Sequence, residues 1–245
     1  MADVQFNLHV GSPKVLVAAA KAFDHLRIDA PETYRFTLSL ERQQERWILF
    51  CNGEYEDHCT ETRQLAPMLP ANTLLLVCRF SDMEVALHAA AVAVNDRRII
   101  LPAKTGSGKS TLSAAMLAEG FRFCSDDLIL LAGPDMWVIP ASFCFVLKQG
   151  SWEIAATPTP AVAKLETHER VDGKSIRYLP PSPASQIVDR HERLPTSYLV
   201  FPLFDPSAPN EFSPLTSAEA LIRLAESGYG VGSRLNRPIL DRLIA

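Results

Sequence analysis

The segment from Ala103 to Thr111 combines the residue types that bind phosphate groups. It reads Ala-Lys-Thr-Gly-Ser-Gly-Lys-Ser-Thr between an apolar stretch and a helical pattern, which is the strand–loop–helix context that a phosphate-binding loop requires. Gly106 and Gly108 let the backbone wrap closely around an anion, with its amide groups pointing inward. The helix that begins there adds the positive end of its dipole.

The two side chains that follow these glycines suit a nucleotide triphosphate. Lys109 would place a cation on the terminal phosphates, and Ser110 would offer a hydroxyl oxygen to Mg²⁺, which prefers oxygen ligands. Ala103 stands where the motif usually has its first glycine, and a small residue still permits the turn. The sequence therefore predicts nucleotide binding, with an ordinary glycine-rich turn as the alternative. The predicted nucleotide-binding residues are Ala103, Lys104, Thr105, Gly106, Ser107, Gly108, Lys109, Ser110 and Thr111.

Two adjacent carboxylates, Asp126 and Asp127, come after the next predicted strand. A carboxylate at the carboxyl end of a strand faces the crevice in which open α/β sheets bind ligands. Neighbouring side chains on an extended chain point in opposite directions, so one carboxylate could hold a metal ion while the other acts on an attacking nucleophile. The alternative is a loop cap or a single Mg²⁺ ligand.

A histidine, His88, lies on the strand predicted before the glycine-rich loop. A hairpin turn at Asn95-Asp96 would bring that strand beside the one that enters the loop. A lone histidine on an apolar strand is often a packed core residue, but its position here also suits a site residue.

Together, His88, the loop 103–110 and the Asp126-Asp127 pair resemble the catalytic domain of HPr kinase/phosphorylase. The strings Leu87-His88-Ala89 and Cys124-Ser125-Asp126-Asp127 are similar to that family's histidine-bearing strand and double-aspartate element. The resemblance covers residues 85–132. It implies a P-loop fold related to the nucleotide domain of ATP-dependent phosphoenolpyruvate carboxykinase.

The resemblance implies a role for each of these side chains. Asp126 would be the general base that takes the proton from an acceptor hydroxyl, with His88 beside it to orient or tune it. Ser110 and Asp127 would bind Mg²⁺, and Lys109 would neutralise phosphate charge. The implied cofactors are ATP and Mg²⁺, and the implied reaction transfers the terminal phosphoryl group to a serine hydroxyl of a protein or peptide.

The region after the aspartate pair departs from the family pattern. The family carries a Glu-x-Arg-Gly-x-Gly stretch, whereas this chain has Ile139-Pro140-Ala141-Ser142 and then Val146-Leu147-Lys148-Gln149-Gly150. Lys148 could supply charge near the phosphates or be an ordinary solvated lysine. The chain thus looks more like the smaller HPr-kinase-like proteins, some of which resemble kinases that modify ribosomally made peptides. A peptide serine is the acceptor that this resemblance implies.

Two other functions stay open at this stage. A nucleotide-sensing module would bind ATP without transferring phosphate, as the missing Glu/Arg stretch favours, and a small-molecule kinase would use another acceptor. His88 and Asp126 favour transfer, because binding alone needs neither. The sequence leaves open whether the chain forms a homo-oligomer.

The composition favours some classes of partner and one cellular location over others. Lys and Arg number 24 against 28 Asp and Glu, a net charge of −4, which argues against a nucleic-acid partner. No apolar run is long enough for a membrane span, and no secretory signal is visible at the N-terminus. Five cysteines without a C-x-x-C pair are typical of reduced thiols, so the predicted location is cytoplasmic.

The elements that must position these residues read as an α/β protein, with a P-loop catalytic domain over 81–245 and a small N-terminal α+β region over 1–80. In the catalytic part, strands are predicted at 87–94, 98–101, 121–124 and 128–131. A helix is predicted at 109–119 with Leu112, Ala115 and Met116 as its buried stripe.

In the N-terminal region, a helix is predicted at 15–26, strands at 34–40 and 47–51, a turn at Asn52-Gly53 and a helix at 65–80. Residues 150–195 read as loops, either a solvated surface or a mobile acceptor-binding lid. A cluster of Arg170, Lys174 and Arg177 there could meet phosphate or an acidic partner. A strand is predicted at 197–201, and Thr216 with Glu219 forms a capping box for a helix that ends at Gly228.

Overall fold

The computed structural model describes residues 4–12, 15, 23–28, 33–189, 191–227 and 237–244, and these form a mixed α/β structure with several sheets. The strands are β1 (Phe6–Val10), β2 (Phe36–Gln43), β3 (Arg46–Cys51), β4 (Glu54–Cys59), β5 (Val85–Leu87), β6 (Ala89–Val94), β7 (Arg97–Pro102), β8 (Arg122–Ser125), β9 (Ile129–Ala132), β10 (Trp137–Pro140), β11 (Phe145–Lys148), β12 (His168–Glu169), β13 (Ser175–Leu179) and β14 (Thr196–Leu199). The α-helices are α1 (Leu65–Phe80), α2 (Lys109–Ala118), α3 (Trp152–Ala156), α4 (Ser217–Glu226) and α5 (Arg237–Ile244).

The sheet that carries the glycine-rich loop has the strand order β14-β7-β6-β8. Strand β6 runs antiparallel to both β7 and β8, and β14 runs parallel to β7. The carboxyl ends of β7, β8 and β14 therefore meet the amino end of β6 at one edge. The β6–β7 hairpin turns through Asn95 and Asp96, both with positive φ (47° and 57°), as a tight two-residue hairpin requires; the predicted turn is confirmed.

The predicted strand 87–94 is interrupted at His88, so the prediction of one continuous strand was wrong. Strand β5 before it pairs with β9 in a second sheet, of order β10-β9-β5, while β6 after it joins the central sheet. The His88 N–H donates to the carbonyl of Ser227 at 2.6 Å. The chain changes sheets at this histidine, which takes its side chain out of the regular alternation of a strand.

The N-terminal sheet, of order β1-β2-β3-β4, packs on helix α1. The turn at Asn52-Gly53 joins β3 to β4, and α1 has the bounds predicted for it, so both predictions are confirmed. Pro67 lies in the first turn of α1, where a missing N–H costs no helical hydrogen bond. Most of the helix predicted at 15–26 lies outside the described residues, and the sequence reading missed β1 and β4.

One hydrophobic core joins the regions assigned to residues 1–80 and 81–245. Leu38 and Leu69 belong to the same buried cluster as Leu128 and Leu130. The apolar face of the N-terminal sheet is thus covered both by helix α1 and by residues of the second sheet from beyond position 80.

Helix α2 buries a different face from the predicted stripe of Leu112, Ala115 and Met116, and that prediction was wrong. Leu112 is exposed, and the buried residues are Lys109, Ser113, Ala114 and Leu117. The buried face is set by Lys109, which enters the site at the first position of the helix, and its i, i+4 neighbours follow it inward. A hydrophobicity pattern does not detect a face that begins with a buried lysine.

The C-terminal region and the 150–195 segment differ in how well they were predicted. Thr216 caps α4 by accepting the N–H of Glu219, so the capping box is confirmed; Gly228 lies outside the described residues. Helix α3 and strand β13 were missed, since β13 is stabilised by pairing with β11 rather than by a local pattern. Among the described residues, no helix is both long and apolar enough to cross a membrane.

Candidate functional site

The residues singled out by type and spacing meet at one edge of the central sheet. The loop follows β7, the aspartate pair follows β8, and His88 immediately precedes β6. Because β6 is antiparallel to its two neighbours, its first residue lies beside the last residues of β7, as the pairing of Ala89 with Pro102 shows. The sheet order, and not closeness in sequence, brings these side chains together.

The side chains of Lys109, His88 and Asp127 form a closed cluster. Lys109 Nζ lies 2.7 Å from Asp127 Oδ1 and 3.1 Å from His88 Nε2, and His88 Nε2 lies 3.2 Å from the same carboxylate oxygen. The Lys109 side chain is only 5% exposed, whereas that of Asp127 is 27% exposed. The cation is therefore held inside the site, and the carboxylate is open to an incoming molecule.

Asp126 occupies a different environment from its neighbour. It is fully buried, its Oδ1 accepts the Ser110 hydroxyl at 3.1 Å, and its Oδ2 accepts the N–H of Val146 at 3.4 Å. Burial and the negative charge of Asp127 raise the pKa of Asp126 to about 6, against the opposing effects of Lys109 and the Ser110 hydrogen bond. A metal ion beside Ser110 would favour the ionised form of this carboxylate.

Asp127 is the more acidic member of the pair. Burial alone would raise its pKa, but the hydrogen bond to His88 and the charge of Lys109 outweigh burial and hold the pKa of Asp127 well below its usual range. Its backbone is left-handed (φ 65°), a conformation that aspartate tolerates better than most residues. Leu128 N–H donates to the Asp126 carbonyl across this turn, so the chain reverses and the two carboxylates diverge.

The two aspartates have the opposite partners to those that the resemblance implies. The resemblance placed His88 beside Asp126 and put Asp127 with Ser110 at the metal; in the structure, Ser110 bonds Asp126 and His88 bonds Asp127. The chain turns through the left-handed Asp127; the Asp126 carboxylate meets Ser110 at the start of α2, and the Asp127 carboxylate meets His88 just before β6. Of the two carboxylates, Asp127 is partly exposed and Asp126 is fully buried.

The glycine-rich loop presents unpaired donors. Gly106 and Gly108 adopt φ of 93° and 89°, and no backbone acceptor among the described residues takes the amides of Gly106, Gly108, Lys109, Ser110 or Thr111. The buried Ser107 hydroxyl likewise has no hydrogen-bond partner in the described structure. A concave row of free amides at a helix N-terminus is a ready-made site for a phosphate group.

Phe204, which the sequence reading missed, lies against this loop. The segment after β14 reaches the same edge of the sheet, and the Phe204 N–H donates to the Ser107 carbonyl at 3.1 Å. The closest heavy atom to a Cβ built on Gly108 is Phe204 Cβ, at 3.2 Å. Only the parallel pairing of β14 with β7 could have indicated this contact.

Replacement of Gly108 by alanine should therefore destabilise the loop. We expect Gly108→Ala to lower the free energy of unfolding by about 1–2 kcal/mol, because an L residue pays that much for a left-handed backbone, and to weaken nucleotide binding as well. Gly173→Ala, at a left-handed turn with open space around its Cβ, is the control for the backbone cost alone. Thermal denaturation with and without nucleotide measures both effects; equal nucleotide affinity in wild type and Gly108→Ala would contradict the expectation.

Lys148 is one of several cationic residues near Asp127. Burial is the main cause that lowers the pKa of Lys148, Asp127 opposes this shift, and the charges of Arg170, Lys109 and Lys174 add to it. Lys148 is half-buried at the end of β11. Arg170 and Lys174 both pair with Asp172.

Arg177, the third residue of the predicted cluster, has contacts other than the Asp172 carboxylate that pairs with Arg170 and Lys174. Its guanidinium lies 4.0 Å from the centre of the Trp152 ring, and it donates to the Val162 carbonyl at 2.9 Å. These contacts link strand β13 to helix α3 and to the chain at Val162.

The C-terminal end of helix α4 contacts two residues of the site, His88 and Lys104. Ser227 accepts the His88 N–H, and Glu226 pairs with Lys104 of the loop at 3.1 Å. Neither residue carried a signal in the sequence, because their role depends only on where α4 ends in space.

The residues of the site suit a Mg²⁺ ion that takes most of its ligands from water and phosphate better than a metal ion coordinated only by protein side chains. Within the described part of the chain, no group of three or more His, Cys, Asp or Glu side chains could hold a metal ion. Mg²⁺ at a phosphate-binding loop needs only one or two protein oxygens, since water and phosphate supply the rest. Ser110 and Asp126 provide such a pair.

Comparison with known proteins found no matching family model, curated protein or solved structure.

Proposed function

We propose that the protein is a Mg²⁺-dependent kinase that transfers the terminal phosphoryl group of ATP to a serine hydroxyl of a protein or peptide, on a P-loop fold similar to that of HPr kinase. The observation that carries this proposal is the cluster of Lys109, His88 and the partly exposed Asp127 at the mouth of a glycine-rich loop with free amides. Nucleotide binding alone does not require an exposed carboxylate held by a histidine.

The contacts support a division of labour between the two carboxylates. Ser110 and Asp126 would hold Mg²⁺, which offsets phosphate charge when it is bound. Asp127 would accept the proton of the serine hydroxyl, with His88 as the residue that orients its carboxylate. This assignment exchanges the roles that the resemblance implied for the two aspartates, because only Asp127 is accessible.

Phosphoryl transfer requires positioning and charge neutralisation more than covalent chemistry by the protein. The bond from the terminal phosphorus to its bridging oxygen breaks, a bond to serine Oγ forms, the serine proton passes to Asp127, and ADP leaves. Lys109 lowers the pKa of Asp127 in the structure. A phosphate group that competes for the Lys109 ammonium would weaken that effect and make Asp127 a stronger base.

The positive charges take the place of the family's missing arginine. Lys148 would act on the phosphates from the end of β11, and Arg170 and Lys174 would add to the potential around it. Cationic groups arranged before the reaction stabilise the charge that spreads over the transferring group.

A transfer assay with purified protein tests the proposal. With Mg²⁺ and ATP labelled at the terminal phosphate, we expect label in serine-containing peptides and none when Mg²⁺ is chelated. Nucleotide binding without transfer to any acceptor would support the nucleotide-sensing alternative, and label confined to small hydroxyl compounds would support a small-molecule kinase. Either outcome would contradict transfer to a protein or peptide.

A further inference from the structure

A groove of about 880 Å³ leads to Asp127 and lies between the N-terminal layer and the β11-β13-β12 sheet. One wall is formed by the end of β4 and by helix α1, and the other by the turn at 170–172 and by β13. The groove contains Asp127 itself, so it joins the proposed reaction site to a surface well beyond the volume of one serine side chain.

The walls of this groove carry uncovered apolar side chains. Leu75 on α1 is 58% exposed, and Val171 on the opposite wall is 81% exposed. On the same helix, Ala71 is exposed and Leu74 is half-buried, and both line the groove. Facing apolar walls gain free energy when apolar groups of a ligand fill the space between them.

The polar groups in the groove are largely paired with one another. Asp57 accepts an N–H of Asn72, His58 Nδ1 lies 2.8 Å from the Tyr55 hydroxyl, and Asp172 is paired with Arg170. A ligand therefore meets no isolated buried charge that its flanking residues would have to match.

One wall of the groove also offers a strand edge. Strand β4 is the last strand of its sheet, and apart from its pairing with β3 it makes no backbone–backbone hydrogen bond within the described ranges. Consecutive residues of this region, Asp57, His58, Cys59 and Thr60, line the groove. The His58 N–H of this segment is accepted by the Asp57 carboxylate at 2.8 Å. An edge with no further strand beside it can add an extended segment of another chain through its remaining main-chain groups.

We propose that this groove binds the acceptor as an extended peptide, with its serine at Asp127 and apolar residues beside that serine against Leu75 and Val171. The inference rests on the proposed kinase function and adds the docking surface and the side-chain preference. A peptide suits the groove better than a small hydroxyl compound, because the walls continue along a strand edge beyond the reacting carboxylate.

Kinetics with matched peptides and surface variants test this inference. The peptides are nine-residue chains with one central serine and either leucine and valine or asparagine and glutamine beside it. In Leu75→Glu and in Val171→Glu, we expect KM for the apolar peptide to rise about tenfold, the size of effect expected when a contact at the centre of an interface is lost, with kcat retained. Ile222→Glu is the control, because Ile222 is also on a helix and 61% exposed but lies outside the groove.

The outcomes separate this inference from the proposed function. Equal KM in Leu75→Glu, Val171→Glu and Ile222→Glu would overturn the groove as the docking site while transfer itself stands, and so would equal KM for the two peptides. If no acceptor is phosphorylated, the proposed function fails, and fluorescence anisotropy of the labelled apolar peptide then tests the groove alone. If the wild type binds the peptide and Leu75→Glu does not, the groove is supported as the docking site. If the wild type does not bind the peptide, a peptide ligand is overturned. A peptide ligand is also overturned if the wild type is a dimer in solution and Leu75→Glu is a monomer.

Discussion

Replacing Asp127 by asparagine should lower the rate of phosphoryl transfer by about 10²–10⁴-fold, the usual contribution of a positioned general base, with little change in Mg-nucleotide affinity. Asparagine retains the shape of the side chain. It also tolerates the left-handed backbone that Asp127 adopts, as asparagine commonly does. The variant therefore removes the proton acceptor and leaves the turn in place. Single-turnover transfer measured beside nucleotide titration provides the two quantities.

Asp126→Asn is the matched comparison, since it makes the same chemical change one residue earlier. If the contacts of the structure define the roles, Asp126→Asn should mainly raise the Mg²⁺ concentration that half-saturates the reaction. The reverse result would contradict Asp127 as the base: Asp127→Asn would transfer phosphate at a near-normal rate, and Asp126→Asn would bind nucleotide without transferring phosphate.

The second large effect is a loss of Mg²⁺ affinity on acidification. The pKa of Asp126 is raised to about 6 by burial and by the charge of Asp127, so below that pH a proton occupies the carboxylate that Mg²⁺ needs. We expect the affinity for Mg²⁺ in the presence of ATP to fall by up to about tenfold for each pH unit below 6, as for competition between one proton and the metal. Titrations from pH 7.5 to 5 measure it.

Asp126→Asn should remove the part of this pH dependence that Asp126 contributes and leave only that of ATP, whose terminal phosphate also titrates at about pH 6. It should lower the Mg²⁺ affinity at pH 7.5 by about 10–100-fold, the size of effect seen when a carboxylate around a metal is lost. Without metal, the ionised Asp126 carboxylate destabilises the folded state above its folded pKa of about 6, because it is buried. Below the unfolded pKa the carboxyl group is protonated in both states, so this destabilisation is absent. The asparagine variant should therefore melt at a higher temperature than the wild type at pH 7.5, with the gain vanishing near pH 4. A metal-free variant that melts lower at pH 7.5 would contradict this account.

Local patterns predicted several elements well for identifiable reasons. The turns at Asn52-Gly53 and Asn95-Asp96 have residues that tolerate positive φ, and the capping box at Thr216 satisfies helix donors from within four residues. Each of these depends on interactions between near neighbours in sequence. Predictions that depend on distant partners failed or were absent, as with the buried face of α2 and with strand β13.

The sequence by itself determined the chemistry of the site: a glycine-rich loop with Lys109 and Ser110, a double aspartate and a histidine, because these are properties of residue type and spacing. Only the tertiary structure decided how they combine. Strand β6 between β7 and β8 places His88 at the loop, and the tertiary contacts pair Asp126 with Ser110 and Asp127 with His88. The end of α4, Phe204 and the groove beside α1 come from still more distant parts of the chain, since packing and strand order, which a local pattern does not encode, bring them to this edge.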